Sequence, residues 1–185
     1  MTAALILIDL QKGIDDPSWG LRNNPGAEAN VVRLRELWRA KKGHVYHIRH
    51  DSTEPESTYR PGQIGNEFKD IARPLEGERV IAKQKTNAFI GTDLEQTLRS
   101  AGHSTLVIAG VITNNSVEAT VRMAGDLGFT VYLVEDACFT FARLDWDGSP
   151  RSAGEVHSMS LANLSGEYWT VVTTKEILQA GISVK

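Results

Sequence analysis

Leu5-Ile6-Leu7-Ile8 is followed at once by Asp9, and this short stretch decides how the rest of the chain is interpreted. Four consecutive apolar residues predict a strand that is buried on both faces, as in a parallel sheet covered by helices. Asp9 marks the end of that strand, and open α/β folds place their ligands at strand ends of this kind. The stretch therefore predicts an α/β fold with its site at the carboxyl ends of the strands.

The same alternation of short apolar runs and helical stretches continues to the end of the chain. Further strands are predicted at residues 44–49, 79–83, 105–109, 130–134 and 169–172, and helices at residues 27–42, 92–101, 116–127 and 153–164. No linker or repeat interrupts this pattern. We therefore expect one domain over residues 1–185, folded as a three-layer α/β/α sandwich around a Rossmann-like, six-stranded parallel sheet.

Composition and charge exclude several classes of protein. The 185 residues include 20 Lys+Arg and 23 Asp+Glu, which leaves a net charge of −3. A polybasic nucleic-acid binder or a cationic membrane-surface protein is not expected at that balance. No apolar run is long enough to span a membrane, and residues 3–8 lack the basic region of a signal peptide. The sequence predicts a cytoplasmic protein with neither nucleic acid nor membrane as its partner.

Polar residues at the ends of three predicted strands are the candidates for chemistry. Asp9 follows the first strand, Lys83 closes the third, and Ser116 opens the helix after the fourth. Each residue alone has an ordinary structural explanation, as a loop anchor, a solvated lysine or a helix cap. Parallel strands bring their carboxyl ends to one edge of a sheet, so the three together favour a shared site.

Three blocks of sequence identify a family. Residues 7–11 (LIDLQ), Lys83 with residues 87–89 (NAF), and residues 110–120 (GVITNNSVEAT) resemble the signature blocks of the isochorismatase-like cysteine hydrolases. The resemblance covers nearly the whole chain in order. It implies the strand order 3-2-1-4-5-6 and an Asp-Lys-Cys catalytic triad.

That triad maps onto Asp9, Lys83 and position 116, and position 116 departs from the family pattern because it is Ser116. A thiol near a helix N-terminus and a lysine has a lowered pKa and attacks a carbonyl, while the aspartate moves the proton to the leaving amine. A serine hydroxyl is far less acidic, so we expect substrate binding with slow or no turnover.

Three explanations of Ser116 remain open. The first is a deliberate replacement of cysteine by serine that traps substrate in an otherwise intact hydrolase. The second is natural loss of the nucleophile, which leaves a catalytically silent small-molecule binding protein. The third is hydrolysis of a vinyl ether in an isochorismate-like acid, for which the resemblance implies that Asp9 alone acts as the general acid. Carboxylates of such an acid would need cations, and the loops offer Arg22, Arg60 and Arg143.

The resemblance also implies how the reacting carbonyl is held. The backbone N–H groups of Ile112 and Ser116 would form the oxyanion hole, and a cis peptide would join Val111 to Ile112. Cys138, the single cysteine, follows the fifth strand instead of opening a helix, so we expect it to be buried and inert.

Metal binding is not expected. Relatives that resemble nicotinamidases hold an ion through an Asp-x-His cluster after the second strand, but this chain reads HIRHD at residues 47–51. His47 and His50 are three residues apart on a strand, so they point to opposite faces. The sequence predicts neither a catalytic metal nor a cofactor.

Residues of the strand-end loops are the candidates for substrate contact. Gln11 is expected to orient the substrate or Asp9, while Trp19, Tyr59 and Phe141 are expected to form an apolar wall. The alternative for Trp19 and Tyr59 is a subunit contact, and we expect a homo-oligomer. The sequence thus predicts a hydrolase that cleaves a C–N bond of a small amide or ureido compound.

Overall fold

The computed structural model describes residues 2–166 and 169–179. In chain order its strands are β1 (Thr2–Ile8), β2 (Val45–His50), β3 (Arg79–Lys83), β4 (His103–Val111), β5 (Thr130–Phe139), β6 (Arg143–Leu144), β7 (Pro150–Arg151) and β8 (Trp169–Val172). Its helices are α1 (Ala27–Ala40), α2 (Leu94–Ser100), α3 (Glu118–Asp126), α4 (Ala153–Leu164) and α5 (Thr174–Gln179). None of the helices in the described ranges is long and apolar enough to cross a membrane.

Six strands form one parallel sheet in the order β3-β2-β1-β4-β5-β8. Because β8 is the sixth strand of this sheet in chain order, the predicted order 3-2-1-4-5-6 is confirmed. Strands β6 and β7 form a separate antiparallel hairpin that the sequence did not predict. Each of these two strands has only two residues, too few to show an alternating pattern.

Helices cover both faces of the sheet, which confirms the three-layer sandwich. Alternate residues of β1 enter two separate cores: Leu5 and Leu7 face one, and Ile6 and Ile8 face the other. Helices α1 and α5 bury their apolar faces in the first core. Helices α2, α3 and α4 bury theirs in the second. The continuous apolar run of β1 follows from this burial on both sides.

Strand β5 runs further than its apolar run predicts. Leu133 pairs with Ile108, but the next pair joins Cys138 to Gly110, so several residues of β5 bulge out between them. The bulge contains two acidic residues, Glu135 and Asp136. The charged residues of the bulge interrupt the apolar pattern by which the strand was predicted. The predicted end at residue 134 was therefore wrong, because the strand continues beyond the bulge.

The predicted start of α3 at Ser116 was also wrong. The helix begins at Glu118, and residues 113–117 form a wide turn in which Val117 N donates to Ile112 O at 3.3 Å. Ser116 therefore lies inside this turn instead of capping a regular helix. Short wide turns of this kind are common at functional sites and carry no separate hydrophobic pattern.

Gly110 allows β4 to approach β1 just before Asp9. Its φ is +134°, and a Cβ added there would lie 2.3 Å from Ile8 O and 2.6 Å from Ile8 N. Only glycine fits this position without moving the backbone of β1. The close approach brings the turn that follows β4 next to the residue that follows β1.

Candidate active site

Asp9, Lys83 and Ser116 meet at the carboxyl edge of the sheet, as their positions in the sequence predict. Lys83 Nζ lies 2.7 Å from Asp9 Oδ2 and 3.3 Å from Ser116 Oγ. The relative exposures of Asp9, Lys83 and Ser116 are 5%, 1% and 7%, so the contacts are almost wholly removed from water. Water screens charges inside such a site weakly, which strengthens the interaction of the ammonium with both oxygens.

Burial and the ion pair act on Asp9 in opposite directions. Burial raises the pKa of Asp9 above its usual range, and the charge and hydrogen bond of Lys83 lower it by less. The second carboxylate oxygen, Oδ1, is buried and has no hydrogen-bond partner within the described residues. An aspartate with a raised pKa and a free oxygen is suited to accepting and releasing a proton.

His50 also contacts Lys83, which the sequence did not predict. Lys83 Nζ lies 3.4 Å from His50 Nδ1 and donates to Lys85 O at 3.1 Å. Burial, followed by the neighbouring ammonium, lowers the pKa of His50 to about 4, so its ring is neutral near pH 7 and can accept this bond. The register that pairs His50 with Lys83 in β2 and β3 could have indicated the contact.

Gln11 is fully buried beside the site, and its amide bonds to backbone groups. Its Nε2 donates to His50 O at 3.0 Å and to Asn66 O at 2.9 Å, and its Oε1 accepts from His50 N at 2.7 Å. Gln11 thus ties the end of β2 to the loop that follows it. This arrangement fits a residue that positions His50.

Tyr59, predicted as part of an apolar wall, contacts the backbone of Asp9. Its ring packs edge-on against His50 at 5.9 Å, and its hydroxyl donates to Asp9 O at 3.5 Å. Burial, followed by the negative charge of Asp9, raises the pKa of Tyr59 well above its usual value. Tyr59 therefore remains a neutral hydrogen-bond donor beside the Asp9 carboxylate.

Trp19 and Phe141 come together, as the sequence predicts for an apolar wall. Their rings stack with centroids 5.5 Å apart and an angle of 22° between the planes. They border a cavity of about 510 Å³ whose lining residues are Ser18, Trp19, Ile112, Asn114, Asn115, Thr140, Phe141, Ala142, Arg143 and Leu144. The cavity therefore reaches the turn that carries Ser116.

The turn around Ser116 is held by polar contacts that sequence reasoning missed. A cis peptide joins Val111 to Ile112, which confirms the implied conformation. Thr113 Oγ1 lies 2.9 Å from His157 Nδ1, and Thr140 Oγ1 donates to Asn114 Oδ1 at 2.5 Å. These contacts fix the turn on two sides, from α4 and from the end of β5.

Two other residues of the sequence analysis can be placed, His47 and Cys138. His47 contacts Glu78 and Phe68. The ring of His50 instead contacts Lys83 and Tyr59, so the two histidine rings lie in different environments. No group of three or more His, Cys, Asp or Glu side chains within the described ranges could hold a metal ion. Cys138 is confirmed as buried, and burial raises the pKa of its thiol to about 12.

The fold and site can now be compared with known proteins. The sequence profile of the isochorismatase domain matches residues 3–176. A crystal structure of an isochorismatase-family protein from Chromobacterium violaceum ATCC 12472 has a TM-score of 0.94 and 59% identity, with 97% of this chain and 93% of that chain covered.

Two curated proteins extend this comparison. YrdC of Bacillus subtilis (strain 168), an uncharacterized isochorismatase family protein, is 41% identical over 95% of this chain and 94% of its own length. Nicotinamidase 3 of Arabidopsis thaliana is 26% identical over 88% of this chain and 80% of its own length. Matches of this extent, on a site where Asp9 and Lys83 meet at the expected edge of the sheet, show that this chain belongs to the isochorismatase family of hydrolases.

Proposed function

We propose that this chain is built to hydrolyse a C–N bond of a small amide or ureido compound, with Asp9, Lys83 and position 116 as its catalytic triad. The observation that carries the proposal is the contact of one buried ammonium with both of the other members, at 2.7 Å to Asp9 Oδ2 and 3.3 Å to Ser116 Oγ. The similarity to a nicotinamidase, whose name denotes an amide substrate, supports the same reaction class.

Each member of the triad has a separate task. The nucleophile at position 116 attacks the carbonyl carbon and forms a covalent acyl intermediate. Asp9 takes the proton of the nucleophile and passes it to the nitrogen of the leaving amine, since an amide nitrogen leaves readily only after protonation. Lys83 stabilises the negative charges on both of its neighbours. Water then hydrolyses the acyl intermediate, with Asp9 as the base.

Ser116 makes this form of the site a poor catalyst. The nearby ammonium would lower the pKa of a thiol in this place so that Asp9 can take its proton, whereas a serine hydroxyl keeps its proton near neutral pH. Asp9 is a weak base for a hydroxyl because Lys83 already holds its other oxygen. We therefore propose a protein that binds its amide substrate and turns it over slowly or not at all.

The surroundings of the triad supply the remaining tasks. The backbone N–H groups of Ile112 and Ser116 are the proposed donors to the carbonyl oxygen as it becomes negatively charged. Trp19 and Phe141 form the proposed apolar wall. Gln11 and Tyr59 act behind the site: Gln11 holds the backbone of His50, and Tyr59 holds that of Asp9.

A vinyl-ether hydrolase is the second candidate, and one observation favours it. Burial raises the pKa of Asp9, so its carboxyl group can carry the proton that such a reaction requires. This route needs no thiol, and Ser116 would have no catalytic role in it. A silent binding protein is the third candidate, and it predicts no turnover in any variant.

The test is a screen of amine and ammonia release over a panel of amides and ureido compounds, using the unchanged protein and the Ser116→Cys variant. A Ser116→Cys, Cys138→Ala double variant is the matched control, because it excludes the native thiol as the nucleophile. The proposal expects turnover in both variants and little in the unchanged protein. Turnover that disappears with Cys138→Ala, or a panel without any substrate, would reject it.

A further inference from the structure

The cavity beside the turn at residues 113–117 contains a single charge. Of the residues that line it, Arg143 has the one charged side chain, and the others are apolar or neutral polar residues. The guanidinium of Arg143 makes no hydrogen bond among the described residues, and its charge helps to lower the pKa of Asp145. The Asp145 carboxylate is itself bonded to Arg151 Nε at 2.7 Å. Because this carboxylate is already paired, Arg143 at the edge of an otherwise neutral cavity can still attract an anion.

The other two arginines of the strand-end loops are already occupied. Arg22 Nη2 pairs with Glu28 Oε2 at 3.2 Å, and its guanidinium lies 4.0 Å from the centroid of the Phe139 ring. Arg60 Nη1 donates to Pro55 O at 2.7 Å, and neither Arg22 nor Arg60 lines the cavity. Arg143 is therefore the one of the three that remains available to a ligand in this cavity.

The apolar wall formed by Trp19 and Phe141 is held firmly by contacts with the rest of the fold. Ala142 N donates to Leu21 O at 3.0 Å, and Phe141 forms an isolated antiparallel bridge with Arg22. The Phe141 ring also packs edge-on against Phe139 at 5.9 Å. Trp19 is fixed by its indole N–H, which donates to Gly13 O at 2.9 Å. A flat group can pack on this wall with little reorganisation of the protein.

The same cavity is joined to the catalytic turn. Ile112, Asn114 and Asn115 line it, and the next residue along the chain is Ser116. The 2.5 Å bond from Thr140 Oγ1 to Asn114 Oδ1 holds the turn against the wall. A ligand in the cavity therefore lies against the turn that carries Ser116.

We propose that the substrate carries a carboxylate and a flat apolar group, and that Arg143 and the Trp19–Phe141 wall bind them beside the triad. The inference rests on the proposed function for the bond that is cleaved. The carboxylate pairs with the guanidinium at the rim, and the flat group lies on the two aromatic rings. Arg143 is then a specificity-determining residue for acidic amides.

The experiment measures binding to the unchanged protein, so it needs no turnover. The first probe pair is N-benzoylglycine and its neutral carboxamide, and the second is N-carbamoylphenylalanine and its carboxamide. Each pair differs only in charge. Dissociation constants are measured by calorimetry for the unchanged protein, for Arg143→Gln and Arg143→Lys, and for Arg60→Gln as the matched control.

In at least one pair the carboxylate should bind about ten-fold more tightly than its carboxamide, as a charge-assisted hydrogen bond contributes. Arg143→Gln should abolish that preference, Arg143→Lys should keep part of it, and Arg60→Gln should leave it unchanged. Added salt should weaken the preference, because the guanidinium lies at the rim of the cavity. Equal affinities, a preference that survives Arg143→Gln, or no binding by either pair would overturn the inference.

The failure of the inference can be told apart from the failure of the proposed function. If the Arg143-dependent preference is found but no amide is hydrolysed after Ser116→Cys, the inference stands and the hydrolase proposal fails. If Ser116→Cys hydrolyses amides but prefers the carboxylate substrates equally with and without Arg143→Gln, the proposed function stands and the inference fails.

Discussion

Lys83 Nζ and Asp9 Oδ2 are separated by 74 positions in the sequence and lie 2.7 Å apart in the folded chain. The two residues end strands that are separated only by β2, so the topology of the sheet brings them to one edge. Burying two charges is costly unless they are paired closely. The site therefore depends on both residues together, for its charge balance as well as for its chemistry.

Replacement of Asp9 tests its role as the proton carrier. Asp9→Asn, made in the Ser116→Cys background, should lower the rate of amide hydrolysis by about 10²–10⁴-fold and change substrate affinity little, because the shape is kept and the proton carrier is lost. Steady-state kinetics and calorimetry measure the two effects. Asp126→Asn, a change at an exposed carboxylate, is the control. A double variant that keeps most of its rate would show that Asp9 does not move the proton.

Replacement of Gly110 tests the close approach of β4 to β1. Gly110→Ala should destabilise the fold by several kcal/mol or prevent folding, since the new Cβ would lie 2.3 Å from Ile8 O. Gly128→Ala is the matched control: Gly128 also has a positive φ, of +82°, but no atom lies within 4 Å of its Cβ position. That control should cost only about 1 kcal/mol. Equal melting temperatures of the two variants would contradict this account of Gly110.

Glu78 should contribute stability that depends on pH. Partial burial raises its pKa, but hydrogen bonds from Arg39, the Leu75 N–H and His47 outweigh it and bring the pKa down to about 2. The folded protein thus binds this proton less tightly than the unfolded chain, whose usual value is 4.5. The stabilisation is complete above pH 4.5 and is lost as the pH falls towards 2.

Thermal unfolding across this range measures the effect. Glu78→Gln should lower the melting temperature near pH 7, and the difference from the unchanged protein should shrink progressively below pH 4.5. Glu76→Gln, at an exposed neighbour, should show no such trend. The difference in melting temperature between Glu78→Gln and the unchanged protein could instead stay constant down to pH 2. That result would mean that the fold does not stabilise the charged form of Glu78.

Association of the chain remains a prediction, and three exposed apolar side chains support it. Leu144, Trp146 and Met159 are 65%, 94% and 63% exposed and border one cavity of about 910 Å³. Clustered apolar groups of this kind favour contact with another copy. Sedimentation at micromolar concentration should show an oligomer that Trp146→Ser weakens and Leu75→Ser, a change at an exposed residue distant in sequence, does not. A species of monomer size alone would count against it.

Much of the fold was predictable because the sheet is buried on both faces. The limits of β3, α4 and β8 agree with the predicted residues 79–83, 153–164 and 169–172, since each begins and ends with a clear change in hydrophobic pattern. The bulge in β5 and the wide turn before α3 were missed. Both are departures from regular periodicity, and a periodic pattern contains no information about them.

The candidate site was predictable where a strand end determined it. Asp9, Lys83 and Ser116 follow from the rule that parallel strands share a carboxyl edge, and the resemblance added their roles as a triad. The contact of His50 with Lys83 and that of His157 with Thr113 were not predicted. In each pair the two side chains come from separate elements. The spacing of residues within one segment cannot predict such a contact.

The rate ratio between Ser116→Cys and the unchanged protein, measured on the same amide in single-turnover conditions, tests the central claim most directly. The account predicts a gain of several orders of magnitude, together with a thioester adduct on residue 116 in the intact mass. Fold and affinity should stay the same, because serine and cysteine differ little in size. A ratio near one would contradict the assignment of position 116 as the nucleophile: activity in both forms would indicate that Asp9 acts alone, and activity in neither would indicate a binding protein.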